Sequence, residues 1–320
     1  MLKYVLQRVL FMFIALFLVS LFTFFLINSV PGGPFENPAI RPEVRLAMER
    51  RFHLDQPLIV QFGHFLRSIV TFDFGISLIV QPSRDITDIL TERFPITIVL
   101  NLLSNFIIVP LGFFLGSLAA LKRNRIPDHA VSALVVVFIS VPSFVLASLM
   151  QYFLAFRLGL FPMIFSTSQN WDWDRLHSMI LPILALSFGG IAFITRFLRG
   201  ELIETLNSDY MLLAKTKGLR THQAVFRHAL RNSLIPIMGM LVGIFVTILS
   251  GSVVVEEIFA IPGMGRIMIN ALLSHDYPLI MATTVMYTFI ALVARLLIDL
   301  SYSIVDPRIV IGGGRSAARS

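Results

Sequence analysis

The sequence has no cysteine, which excludes a disulfide framework, thiolate metal sites and a cysteine nucleophile. Charge is also scarce. Asp, Glu, Lys and Arg make up 14% of the chain, against about 25% in ordinary globular proteins. The motifs of hydrolytic chemistry are missing as well. No Gly-x-x-x-x-Gly-Lys-Ser/Thr phosphate loop occurs, and Gly312-Gly313-Gly314-Arg315 has neither its spacing nor its lysine. There is no His-Glu-x-x-His zinc pair and no Gly-x-Ser-x-Gly nucleophile elbow. His53, His64, His129, His177, His222, His228 and His275 are scattered without ligand spacing. The chain therefore reads as no enzyme and as the holder of no cofactor or metal of its own.

What is present is apolar. Hydrophobic residues make up 56% of 320 positions, and a helix needs about 20 of them in a row to cross a bilayer core. Six such runs are free of charge: 9–30, 96–121, 130–156, 178–195, 233–255 and 277–294. The pattern predicts an all-α, polytopic membrane protein with six transmembrane helices. Pro110, Pro142 and Pro182 fall inside these runs, where neighbouring helices can satisfy the freed backbone groups. The first run follows Lys3 and Arg8 but exceeds a signal-peptide core and ends without a small-residue cleavage site, so it reads as an anchor.

The net charge of +7 belongs to topology and not to nucleic acid. Lys122, Arg123 and Arg125 lie between the second and third runs, and Arg199, Lys215, Lys217, Arg220, Arg227 and Arg231 between the fourth and fifth. By the positive-inside rule these loops and both termini are cytoplasmic. The resulting organisation is a first segment and helix over 1–30, an external loop with short helices over 31–95, a five-helix core over 96–308 and a cytoplasmic tail over 309–320. An amphipathic helix is expected over 42–52 as an interfacial cap.

Two connecting loops carry the most information. In the cytoplasmic loop 199–232, residues 208–217 read as a short helix with Ser208 as N-cap, Asp209 in the first turn and Lys215 and Lys217 in the last. Gly218 is placed to end it in the left-handed conformation, and Thr221 to cap a second helix. In the external loop 256–278, Pro262, Gly263 and Gly265 interrupt an apolar stretch that includes Phe259. Such backbone at membrane depth needs protein or a water-filled cavity beside it, which predicts a re-entrant turn. Within the spans, Arg295 and Asp299 are spaced to pair on one helix face, and Gly112 with Gly116 and Gly239 with Gly243 have close-packing spacing.

These residues resemble the permease subunits of ABC importers for dipeptides, oligopeptides and nickel. The likeness rests on Asp209-Tyr210, Ala214, Lys217-Gly218-Leu219, His228-Ala229-Leu230-Arg231-Asn232 and Pro236 in the cytoplasmic loop. It extends to Pro31-Gly32-Gly33-Pro34, Leu54-Asp55, Phe72-Asp73-Phe74-Gly75, Ser77, Leu181-Pro182, the 259–265 stretch, Asp276-Tyr277-Pro278 and Asp306-Pro307-Arg308. The resemblance implies a bacterial plasma (inner) membrane subunit that pairs with a second related permease and receives peptide from an extracytoplasmic substrate-binding protein. Two cytoplasmic ATPase subunits, carrying ATP and magnesium, would drive it. It also makes the cytoplasmic helix a coupling helix, with Asp209, Tyr210, Ala214, Lys217 and Gly218 in that role.

Two departures stand out. Leu212 and Leu213 replace the Glu and first Ala of the general Glu-Ala-Ala-x-x-x-Gly form, so docking through an apolar knob is expected. Gly33 replaces the acid common in Pro-Gly-Asp-Pro, and the chain looks closest to the oligopeptide and microcin C branch. A nickel or other small-solute importer is the alternative within the family. An ion-coupled secondary transporter would need midplane ionisable residues and an internal repeat, and neither is evident.

Overall fold

The computed structural model describes residues 2–29, 55–168, 172–217 and 253–305, together with Leu219, Gln223, Val225, Ala229, Leu230 and Ser233. The expected helix 42–52, most of the run 233–255, Gly218, the Thr221 cap and the tail 309–320 lie outside them. The described residues are helical apart from loops and a single β-bridge between Ile76 and Asp85. Among the described residues, four helices are long and apolar enough to cross a membrane, and a bent pair makes up to five spans. The chain divides into two compact units, Met1–Thr97 with Pro262–Leu296 and Ile98–Ile261 with Leu297–Ser320.

In the first unit, α1 (Leu2–Ser29) is so apolar that its best window has a mean hydropathy of 2.8, yet only 17% of that window is buried within the protein. Against it lies the amphipathic α2 (Leu58–Thr71), which presses Phe62 and Phe65 onto Phe24 at ring-centroid distances of 5.4 and 5.9 Å. α2 ends with Phe72 in the left-handed region at φ 54° and the Asp73 N–H donating to the Ser68 carbonyl. α3 (Ile86–Leu121) then opens with Ile86, Ile89 and Leu90 buried. These pack with Met264 and Ile267 of α9 (Met264–Ser274) and Leu279 of α10 (Tyr277–Val305).

The second unit is built on α6 (Trp173–Leu206), 61% of whose apolar window is buried, which marks it as a central span. Its N-cap Asp172 accepts from the Arg175 N–H at 2.9 Å. A hydrogen bond from the Ser168 hydroxyl, and then that N–H, hold the Asp172 carboxyl below the usual carboxylate range. Glycine brings α3 and α6 together. A Cβ on Gly112 would come within 2.7 Å of the Ile194 Cβ, one on Gly116 within 3.0 Å of the Leu198 Cβ, and one on Gly190 within 2.7 Å of Ile108. The spacing read from Gly112 and Gly116 is thus a real contact face.

The third predicted run is not one helix. α4 (Ile126–Ser140) and α5 (Ser143–Met150, continued by a π-helical stretch Gln151–Arg157) meet at a 99° bend. The cause is local: Pro142 offers no N–H and pushes Val141 into an extended conformation, φ −96° and ψ 120°. Pro110 and Pro182, by contrast, sit inside continuous helices. The helices also outrun the charge-free runs, since α3 starts ten residues before 96 and α6 continues to Leu206.

Candidate coupling helix and external clasp

Two residues separate α6 from α7 (Asp209–Thr216), close to the expected 208–217. Ser208 does not cap it through its side chain. Its carbonyl accepts from the Met211 and Leu212 N–H groups at 3.0 and 3.3 Å, but its hydroxyl turns back to donate to the Thr205 carbonyl at 2.5 Å. That carbonyl, at the end of α6, also accepts from the Ser208 N–H at 3.1 Å, so Ser208 satisfies it with both backbone and side chain.

One face of α7 is locked into its unit. Met211 is fully buried and packs with Ala120 at the end of α3, Leu202 of α6 and Ala229. Leu212 and Leu213 point the other way and are 64% and 54% exposed. Asp209 and Lys217 are exposed beside them, and the Lys217 N–H donates to the Leu213 carbonyl at 3.1 Å. Tyr210 and Ala214 lie on the same helix, though their side chains are outside the description, as is Gly218. An apolar pair ringed by charge on a helix that is otherwise anchored is the pattern of an interaction knob.

Above the same end of the unit, Asp128 in the first turn of α4 is 2% exposed and binds Arg199 of α6 in a bidentate pair, Nε to Oδ1 at 2.6 Å and Nη2 to Oδ2 at 2.8 Å. The Asn124 N–H also donates to Asp128 at 2.9 Å. This pair is absent from the sequence reading, although a carboxylate at the mouth of a span calls for a partner.

The stretch around Phe259, Pro262, Gly263 and Gly265 is a turn between two helices. α8 (Val253–Ile258) ends with the Ala260 N–H donating to the Glu257 carbonyl and the Ile261 N–H to the Glu256 carbonyl, with Ala260 left-handed at φ 54°. That is the hydrogen-bond pattern of a Schellman motif, with alanine in the position glycine usually fills. Phe259 is buried and its carbonyl accepts from the Phe165 N–H at 2.8 Å. Gly263 is extended, φ −99° and ψ −173°, as the residue before α9, and Gly265 lies in the first turn of that helix. Within the first unit, the Pro262 carbonyl accepts from Arg93 at 3.3 Å and the Met264 N–H donates to the Thr97 hydroxyl at 2.9 Å.

The strongest polar feature of that unit has no counterpart among the expected site residues. α9 ends on His275, left-handed at φ 56°, which delivers Asp276 fully buried into the 77–80 loop. There the carboxylate accepts from the Ser77 hydroxyl at 2.6 Å and from the N–H groups of Leu78, Ile79 and Val80 at 3.0–3.2 Å. Residues quoted separately in the sequence, Ser77 after Phe-Asp-Phe-Gly and the Asp of Asp-Tyr-Pro, are two halves of one clasp.

Residues 1–101 and 112–311 match, in turn, the N-terminal and main parts of the binding-protein-dependent transport system inner membrane component. The chain belongs to this family. It is a multi-pass inner-membrane permease. The dipeptide transport system permease protein DppB of Bacillus subtilis is 41% identical to it over 97% of this chain and 98% of its own length. The oligopeptide transport system permease protein OppB of Escherichia coli K12 is 34% identical over 97% and 99%. Among solved structures, the inward-facing MetNI methionine ABC transporter matches with a TM-score of 0.56 at 20% identity, covering 68% of this chain and 96% of its own. An amino acid ABC transporter solved with histidines gives 0.54 at 18%, covering 68% and 94%. At those identities the two structures speak for the permease fold.

Proposed function

We propose that this chain is the transmembrane permease subunit of an ABC importer that moves short peptides into the cytoplasm by alternating access. In this reading it has six spans with both termini cytoplasmic and pairs with a second, related permease. An extracytoplasmic binding protein delivers the peptide, and two cytoplasmic ATPase subunits hold ATP and magnesium. This chain performs no chemistry of its own; it supplies the path and the mechanical link.

The observation that carries the reading is the end-to-end likeness to a dipeptide permease, 41% over 310 residues. Because it exceeds the 34% to the oligopeptide permease of E. coli, dipeptides and tripeptides are the first substrates to try. The geometry of α7 supports the mechanism. Leu212 and Leu213 offer the ATPase an apolar knob, while Met211 ties the helix to Ala120 and Leu202 at the ends of α3 and α6. A push on the knob therefore moves both helix ends together. ATP does work here only if the two conformations differ in affinity for peptide and for the closed ATPase pair.

The test is uptake of labelled dipeptides and oligopeptides into proteoliposomes containing the assembled transporter and its binding protein. Uptake should require ATP inside the cytoplasmic compartment. Uptake driven by an ion gradient with no nucleotide would replace this reading with a secondary transporter.

A further inference from the structure

Along α6, from Gly189 to Glu204, runs an open groove of about 880 Å³. Its upper wall is the elbow between α4 and α5, where Phe138, Ile139 and Pro142 line it. Pro142 has no N–H to give the Phe138 carbonyl, and α5 starts without a side-chain cap. Broken backbone at membrane depth survives against protein or a water-filled cavity, and here it borders the groove. The floor is open at two glycines: a Cβ on Gly189 or Gly200 would meet nothing within 4 Å.

The lower part of the groove is charged with both signs. Arg196 is exposed between Phe193 and Phe197, and it has no hydrogen bond or ion pair among the described residues. Glu201 and Glu204 line the groove further along the same helix. With a rise of 1.5 Å per residue they lie about 7.5 and about 12 Å from Arg196 along the axis. The charged ends of an extended peptide are about 7 Å apart for two residues and about 10 Å for three. An anionic lipid headgroup drawn to Arg196 would meet two carboxylates, and an apolar helix laid in the groove would leave three charges unanswered. A zwitterion answers both signs.

We propose that this groove is the part of the translocation path that reads the two ends of a short peptide, Arg196 taking the α-carboxylate and Glu201 and Glu204 the α-ammonium group. The inference rests on the peptide-import reading above. Beside the charges, Phe138, Phe193 and Phe197 give side chains of many kinds an apolar surface, so the site selects for length and free termini and leaves the sequence open.

Uptake by the complete reconstituted transporter tests it, with each variant normalised to wild type carrying the same peptide so that selection by the binding protein cancels. Arg196→Gln should lower uptake of a free tripeptide at least tenfold and that of its C-terminal amide less than twofold. Glu204→Gln should show the reverse preference, sparing the N-acetylated peptide. Gly200→Trp fills the groove at a site where replacing glycine favours helix, so the complex should assemble fully and uptake of every peptide should fall at least tenfold. Equal losses for free and blocked peptides in both charge variants would overturn the proposal. So would loss of permease pairing in Gly200→Trp, which would make the groove a subunit interface, or wild-type uptake in that variant. A wild-type complex that carries no peptide at all would instead sink the import reading itself, and this site with it.

Discussion

Each of the two units is held together internally by a different kind of interaction. In the unit formed by Met1–Thr97 and Pro262–Leu296, the connections that fix the loops are polar and distant in sequence: the buried Asp276 carboxylate binds a hydroxyl and three N–H groups some 196 to 199 residues away. In the unit around α6, the connections are helix on helix, through Gly112, Gly116 and Gly190, with the Asp128–Arg199 pair at one end. The first arrangement makes a rigid scaffold out of irregular backbone. The second leaves α6 smooth-sided along its α3 contact and open along the groove, which suits the transmission of motion from α7 proposed above.

That contrast can be broken at its strongest point first. Asp276→Ala would bury Ser77 and three N–H groups without an acceptor, at a cost of about 3–5 kcal/mol. Thermal unfolding in detergent should show a large loss of stability, with a protease-sensitive 72–85 loop; an unchanged midpoint would mean the clasp is incidental. Gly112→Val forces a side chain into the 2.7 Å gap to Ile194. Overpacking of this kind costs about 1–3 kcal/mol, to be read by the same unfolding assay, and no effect would show that α3 and α6 can slide apart freely.

Smaller changes sharpen the comparison. Asp128→Asn keeps the shape but removes the charge opposite Arg199, whose side chain is 33% exposed and partly screened. A loss of about 1 kcal/mol is expected, recovered at least in part by pairing it with Arg199→Gln in a double-mutant cycle. Additive effects in that cycle would deny the pair any coupling. Ala260→Gly should go the other way and stabilise by up to about 1 kcal/mol, because it relieves a left-handed alanine. Destabilisation there would mean that the Ala260 methyl group packs more strongly than its backbone is strained.

How much of this the sequence could tell follows from the range of each interaction. Helix type and the apolar spans are set by composition within a window, so the spans in α1, α3, α6 and α10 were legible. The contact through Gly112 and Gly116 was too, because its spacing lies on one helix face. Pro142 and Pro182 look alike in sequence, and nothing within a window says that one breaks its helix while the other is absorbed. The Asp276 clasp was illegible because three of its four partners are backbone N–H groups, which carry no residue identity. In the turn after α8, the glycines drew attention, yet the left-handed position fell to Ala260, whose backbone bonds to Glu256 and Glu257 define it. On α7, the exposure of Leu212 and Leu213 was foreseen from residues out of place in a motif, whereas the burial of Met211 needed the structure.

In the proposed mechanism ATP-driven motion enters this chain at α7, and the double variant Leu212→Asp/Leu213→Asp tests that most directly. Both side chains are exposed, so the change should leave insertion, folding and pairing with the second permease intact. Peptide-stimulated ATP hydrolysis and peptide uptake, measured on the same proteoliposomes, should both fall at least tenfold. Wild-type values of both in a fully assembled complex would contradict the account and leave α7 a solvated turn between two spans.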